Sequence, residues 1–256
     1  MKEKKIADYR ESHTLKGKGK VYDNSFEIFP FRKFSWEWEK KQLDIILAKH
    51  LKPEHTVLDF ACGTGRILDY LVTKSKNVSG VDLSDTMLEV SKSRLPDIEL
   101  VKADITRNNV FEKGGRTFNV ITAFRFFLNA QDELRKEVYE SLSPILDKDG
   151  ILIFNNHGNR YNAGVLLSYW FILKNVFRKA ENRIYNYHTL SHRDIKRYLK
   201  EFNYEIIETY HRGVLPVMNE KTSFDVSKLD GIEDWFSRYK FFRLFARNVL
   251  YVCKKN

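Results

Sequence analysis

Between residues 56 and 156 the chain alternates short apolar runs with amphipathic segments. "TVLDFA" (56–61), "NVSGVDL" (77–83), "IELVKAD" (98–104), "FNVITAFRF" (118–126) and "GILIFNN" (150–156) read as buried strands. Between them, residues 66–74, "DTMLEVSKSRL" (85–95) and "DELRKEVYESLSPIL" (132–146) have helical periodicity. Ser84 is a natural N-cap for the second helix, and Pro96 closes it. Strands apolar on both faces, alternating with helices, predict a parallel sheet covered on both sides.

The flanks keep a different rhythm. Residues 1–35 are mixed, with "KGKGK" (16–20) as a flexible break. Residues 36–51 have helical periodicity, stopped by Pro53. After 156 come an apolar helix over 163–177, a helix capped by Ser191, a strand at 204–210, a helical stretch over 231–245 and a last strand, "RNVLYVCKK" (247–255). The expected organisation is an N-terminal cap (1–52) and a main domain (53–256) carrying a lid insertion at about 156–190. Tyr161, Tyr169, Trp170, Tyr185 and Tyr187 would give the lid aromatic walls, or simply be core.

Composition narrows this picture. No run of 18 apolar residues exists to span a membrane, and the charged N-terminus lacks the apolar stretch of a secretory signal. Two cysteines, Cys62 and Cys253, are too few for a disulfide framework or zinc cluster, so a reducing cytoplasm is the expected compartment and metal independence is expected. The net charge of +10 invites nucleic acid or an anionic membrane surface as partner. The basic residues are spread without a dense block, which equally suits solvated charge.

The chemistry concentrates at "LDFACGTGR" (58–66), where an apolar run ends in Asp59 and a Gly63-x-Gly65 turn leads into a helix. A dinucleotide would place pyrophosphate on such a turn, but the third glycine position is Leu68 and an anion at Asp59 repels a diphosphate. An acid there suits a cationic ligand without phosphate. S-adenosylmethionine offers an ammonium, a sulfonium, a ribose diol and an adenine. Asp82 ends the second strand and can accept both ribose hydroxyls. Asp104 ends the third and can accept from an adenine amino group, with Ile105 supplying its amide.

With these motifs in order, the chain resembles a class I S-adenosylmethionine-dependent methyltransferase. "LDFACGTGR" resembles that family's first motif, "GVDLS" its acidic second-strand motif and "VKADI" its third, while "GILIFNN" and "RNVLYVCKK" resemble its fifth and late antiparallel strands. The resemblance implies a three-layer α/β sandwich around a mostly parallel, doubly wound seven-stranded sheet with an antiparallel last strand. It also implies that Asp59, Ala61, Gly63 and Gly65 face the methionine part, Asp82 and Leu83 the ribose and adenine, and Asp104 and Ile105 the adenine. Ala123 and Phe124 would border the methyl-bearing sulfur, with Tyr22 over the cofactor.

The acceptor is less legible. The Asn/Asp-Pro-Pro-aromatic motif of base-amine methylation is replaced by Thr122-Ala123-Phe124-Arg125, and the cysteine pair of base-carbon methylation is missing. His157, directly after the fifth strand, is the candidate general base; as a turn histidine it would instead bond to backbone. Arg125, Asn129 and Asn156 are candidate substrate contacts, Asn129 alternatively belonging to a helix N-cap region; His188 and His192 read as surface or capping residues. The leading expectation is methyl transfer to oxygen of a small molecule or saccharide. An RNA or protein methyltransferase, and a non-catalytic cofactor-binding or membrane-surface module, are the alternatives. The oligomeric state is not readable from the sequence.

Overall fold

The computed structural model describes residues 9–10, 18–167, 189–217 and 226–256. Seven strands form one sheet: β1 (Val57–Phe60), β2 (Val78–Asp82), β3 (Glu99–Lys102), β4 (Phe118–Ala123), β5 (Leu146–Asn156), β6 (Tyr204–Arg212) and β7 (Asn248–Lys255). Their order is β3-β2-β1-β4-β5-β7-β6. The pairings from β3 through β5 are parallel, and β7 runs antiparallel to both β5 and β6. The strand order reverses between β1 and β4, and in such sheets ligands settle in the crevice beyond the carboxyl ends at that reversal.

The two faces follow from the twofold alternation of strand side chains. On one face Val57, Val120, Ile151, Ile153, Leu250 and Val252 pack with Leu43, Ile46 and Leu47 of helix α2 (Pro30–His50) and Leu68 and Leu71 of α3 (Arg66–Leu71). On the other, Leu58, Ile121, Leu152, Phe154, Tyr251 and Cys253 pack with α6 (Asp132–Leu142) and α7 (His192–Glu201). The result is the three-layer arrangement expected from the strand–helix alternation. Helix α2 therefore supplies part of the main core, although it lies in the segment 1–52.

The described residues also form α1 (Lys18–Ile28), α4 (Asp85–Arg94), a short α5 (Val110–Lys113), α8 (Asp230–Ser237) and 3₁₀ turns at Val226–Leu229 and Lys240–Leu244. Several boundaries differ from the sequence reading. Lys18–Lys20 begin α1 instead of forming a flexible break: a Cβ on Gly19 would lie 2.2 Å from the Thr86 carbonyl oxygen, so this glycine lets α1 lie close against α4. Helix α2 starts at Pro30, six residues earlier than expected, with proline in the first turn, where its missing N–H costs nothing. Helix α6 stops at Leu142: Ser143 still has helical backbone, but Pro144 has no N–H to continue the ladder, and β5 begins at Leu146. The stretch 231–245 is divided between α8 and a 3₁₀ turn.

Ser191 caps α7 through a reciprocal box with Asp194, as expected. Ser84 occupies the N-cap of α4, but its side chain makes no cap bond there. His192 is a core residue and not a surface one: Nδ1 lies 2.9 Å from the Tyr251 hydroxyl, the rings stack, and burial pushes the imidazole down to about 4. Of the apolar helix expected at 163–177, residues 163–167 are helical. The remainder, with His188 and the lid aromatics other than Tyr161, lies outside the described residues. Among the described residues no helix is long and apolar enough to cross a membrane, and no cluster of three metal-ligating side chains occurs.

Candidate active site

A cavity opens beyond the carboxyl ends of β1 to β4. Its floor is the turn after β1. Ala61, Gly63 and Gly65 adopt φ of 53°, 56° and 79°, so the chain reverses within five residues and enters α3. Ala61 and Gly63 line the cavity; Gly65 does not, and serves as the left-handed N-cap of α3. A Cβ on Gly65 would lie 2.5 Å from Ser91 Oγ and 3.2 Å from Ser91 Cβ. Gly65→Ala is expected to cost about 2 kcal/mol through strained φ and that overlap, lowering the urea midpoint without changing the slope.

Three acids stand around this turn. Asp59 is buried; its Oδ1 accepts from the Thr122 hydroxyl at 2.6 Å, and its Oδ2 is buried with no hydrogen-bond partner. Burial pushes its carboxyl up to about 7, against the pull of Thr122 and of the Arg66 guanidinium. Asp82 Oδ2 accepts from the Gly63 amide at 2.9 Å and Oδ1 from the Ser84 amide at 2.8 Å, which ties β2 to the glycine turn. Burial raises its carboxyl, partly countered by those amides. Asp104 Oδ1 accepts from the amide and hydroxyl of Thr106, and Oδ2 from Arg10 Nε at 2.8 Å. Although burial pushes it up, Thr106 and Arg10 hold it below the usual carboxylate range. The oxygens expected to meet an adenine amino group therefore already accept from protein donors.

Arg10 was not singled out by the sequence pattern. It bonds Asp104, the Thr106 hydroxyl and Glu137, and so holds residues 9–10 against the cavity. Tyr9 beside it meets Phe126 edge-on at 5.1 Å. Leu83, Ile105, Phe124 and Tyr22 of α1 line the cavity, as do Arg125 and Asn129. Asn129 donates to the Arg125 carbonyl at 2.7 Å, and the N-cap of α6 is Gln131.

Besides Gly65, three expected positions fall elsewhere. Ala123 is fully buried in the core beneath the cavity. Asn156 is also buried, its amide donating to the Leu190 carbonyl at 2.7 Å and accepting from the Gly158 amide, so it fastens the chain after β5. His157 lines a second, much smaller cavity with Phe31, Arg32, Ser35, Arg125, Arg247 and Asn248. Burial, and then the neighbouring Arg125, Arg247 and Arg32, push its imidazole well below the usual range. It is a neutral, weakly basic ring outside the main cavity, not the poised base expected there.

A buried polar knot supports both cavities. Glu39 of α2 is fully buried and its Oε1 accepts from Asn155 Nδ2 and Asn248 Nδ2, each at 2.9 Å. Arg66 Nη1 lies 3.6 Å from Glu39 Oε2, with its guanidinium 4.3 Å from the Trp36 ring centroid. Asn155 Oδ1 accepts from the Arg125 amide at 2.7 Å and holds that residue at φ 58°. The arginine at the start of α3 thus faces the cavity rather than solvent.

Comparison with known proteins agrees with this geometry. A family model described as a methyltransferase domain matches residues 57–150. The chain is 26% identical over 164 residues, 61% of its length and 67% of the relative's, to the ubiquinone/menaquinone biosynthesis C-methyltransferase UbiE of Campylobacter jejuni. It is 29% identical over 136 residues to the dTDP-4-amino-2,3,4,6-tetradeoxy-D-glucose N,N-dimethyltransferase of Saccharopolyspora spinosa, covering 52% of this chain and 51% of that one. Its fold is shared, with a TM-score of 0.57 over 90% of each chain and 12% identity, by the N-methyltransferase NodS of Bradyrhizobium japonicum in complex with S-adenosyl-L-homocysteine. Motif order, sheet topology and these likenesses agree: the chain is a class I, Rossmann-like methyltransferase that uses S-adenosyl-L-methionine.

Proposed function

We propose that the acceptor is a small molecule bound in the same cavity as the cofactor, and that the methyl group goes to an oxygen of a saccharide-type acceptor. The observation that carries this reading is the enclosure. Tyr9, Arg10 and Tyr22 of α1, none of them on the sheet, line the cavity together with the strand ends, which makes it a concave site of the kind that takes small molecules. The sugar-modifying activity printed for the Saccharopolyspora relative points to the same class.

The residues present fit the cofactor. Asp59 Oδ2 is a buried carboxylate oxygen in need of a donor, which an α-ammonium supplies. Asp82 keeps one lone pair on each oxygen beyond its amide bonds, enough for a ribose diol. Leu83, Ile105, Phe124 and Tyr22 offer an apolar bed, and Ala61 and Gly63 leave the backbone of the turn accessible. The bound cofactor supplies an electrophilic methyl on a sulfonium. The protein's contribution is alignment of the acceptor with that methyl and exclusion of water. Arg125 and Asn129 border the acceptor side. The Arg125 guanidinium there favours the deprotonated form of an acceptor hydroxyl, a role that does not call on His157.

Incubation with methyl-labelled cofactor and a panel of sugar nucleotides, free sugars, phenols and amines tests this. Label is expected in the small-molecule fraction, on oxygen by mass spectrometry. Label confined to RNA or protein would overturn the reading, and label on nitrogen or carbon would overturn the acceptor atom.

A further inference from the structure

The connection between β6 and β7 leaves and re-enters the sheet on the edge that carries the main cavity: Arg212 pairs with Asn248, and Asn156 at the carboxyl end of β5 pairs with Val249. Of its described residues, 226–247 hold an aromatic cluster. Trp235 lies 5.1 Å from Tyr239 and 5.8 Å from Phe242 between ring centroids, and Phe241 lies 5.7 Å from Phe242 and 5.4 Å from Phe245. Phe236, Phe242 and Phe245 pack inward against the core. Ile232, Trp235, Tyr239, Phe241 and Leu244 are exposed, Phe241 to 63%. The acids of this segment are occupied in fixing it. Glu233 is buried and accepts from the amides of Gly213, Val214 and Leu215 at 2.8, 3.1 and 2.8 Å. Asp230 and Asp234 both bind the Arg212 guanidinium. Arg238 and Lys240 are exposed, and neither side chain has a partner among the described residues. Helix α8 and the 3₁₀ turn after it thus form an anchored platform whose outward rim is apolar and cationic.

We propose that this platform docks on the surface of an anionic bilayer, with Trp235, Tyr239 and Phe241 at the level of the headgroups and Arg238 and Lys240 on the phosphates. Tryptophan and tyrosine suit that place, because each ring joins an apolar body to a hydrogen-bonding group. The stems of arginine and lysine lie along apolar surface while their heads reach the phosphates. Anionic lipid supplies the negative charge that the rim lacks, and each cation near it strengthens attachment. A second copy of this chain fits less well. A twofold contact through the patch would set both copies' Arg238 and Lys240 in one interface, where the nearby carboxylates already hold Arg212. Docking holds the edge of the sheet that carries the cavity at the lipid surface, and it does not depend on the identity of the acceptor.

Sedimentation of the full chain with vesicles tests the surface. Vesicles of phosphatidylcholine and phosphatidylglycerol in equal parts are expected to bind it, and vesicles of phosphatidylcholine alone at least tenfold less. Arg238→Gln combined with Lys240→Gln is expected to weaken partitioning by about 30-fold. Phe241→Ser is expected to weaken it by about tenfold. Lys148→Gln, at an exposed position near the amino end of β5 on the opposite edge of the sheet, is expected to change nothing. Calorimetric binding of S-adenosylhomocysteine is expected to stay the same in every variant, which checks that each one folds. In the unmutated protein the mixed vesicles are expected to shift tryptophan emission to the blue, and Trp235→Phe to remove the shift. No binding to the mixed vesicles, equal binding to both kinds, equal loss in Lys148→Gln, or an emission shift that survives Trp235→Phe would each overturn the proposal. So would a dimer, seen by sedimentation velocity, that Phe241→Ser dissociates, because the face would then belong to a second copy.

Discussion

Asp59→Asn is expected to weaken S-adenosylhomocysteine binding by about 100-fold, the cost of losing one partner of a buried charge pair, while making the free protein more stable at pH 8. Both effects come from one atom. Asp59 Oδ2 is buried with no partner, and burial raises the carboxyl from its ordinary 3.8 to about 7. A group whose folded value lies above its unfolded value stabilises fully below the unfolded value and loses that contribution as pH rises through the folded one. The contribution of Asp59 is therefore complete below about pH 4 and gone above about pH 7, a change on the order of 4 kcal/mol. Asparagine keeps an oxygen for the Thr122 hydroxyl and never ionises. The variant is expected to melt on the order of 10 °C above the parent at pH 8 and level with it near pH 4. Cofactor binding needs the ionised carboxylate, so affinity is expected to fall about tenfold per unit below pH 7 in the parent and stay flat in the variant. Calorimetry across pH checks this; unchanged cofactor affinity in Asp59→Asn would remove Asp59 from the site.

The second large effect is expected at Glu39. Glu39→Ala leaves the amide groups of Asn155 and Asn248 without their acceptor and Arg66 without the carboxylate 3.6 Å away. Removing one member of such a buried network costs about 3–5 kcal/mol. For a chain of this size that is a melting temperature lower by roughly 10 °C. Glu39→Gln keeps an oxygen for both asparagines and loses only the charge facing Arg66, so it is expected to lose less than half as much. The network also holds Arg125, through Asn155, in left-handed backbone. Activity should therefore fall in Glu39→Ala beyond what the unfolded fraction accounts for, measured well below the melting temperature. Equal losses in the two variants would mean that the charge, and not the acceptor, organises the knot.

The difference between Asp59 and Glu39 shows what local pattern carries. Asp59 ends an apolar run before a Gly-x-Gly turn, and Asp82 ends the next, so strand end, turn and acid are read within a few residues. Glu39 sits in "WEWEKKQLD", where alternating charge reads as a solvated helix face. Its burial depends on Asn155 and Asn248, 116 and 209 positions away. Arg10 is hidden for the same reason, with its partner Asp104 94 positions off. Asn156 ends β5 and His157 follows it, at the carboxyl end of the strand. Position along a strand does not say which way a side chain turns after it, and one residue's change sends Asn156 to the Leu190 carbonyl and His157 to the arginine cavity. Gly19 misled in the opposite sense, since a glycine that permits a close helix crossing looks, in one dimension, like one that loosens a linker.

The place of β7 has a consequence for how this molecule comes into being. It lies between β5 and β6, and β6 joins the sheet only through it. On the ribosome β6 emerges some forty residues before the strand it must pair with. Until β7 arrives, the run Gly150–Asn156, buried throughout in the finished protein, presents an open apolar edge. Closure of that edge joins segments about a hundred positions apart, a slow kind of contact to form. Newly made chains are thus most exposed to aggregation and to chaperones in the interval between β5 and β7.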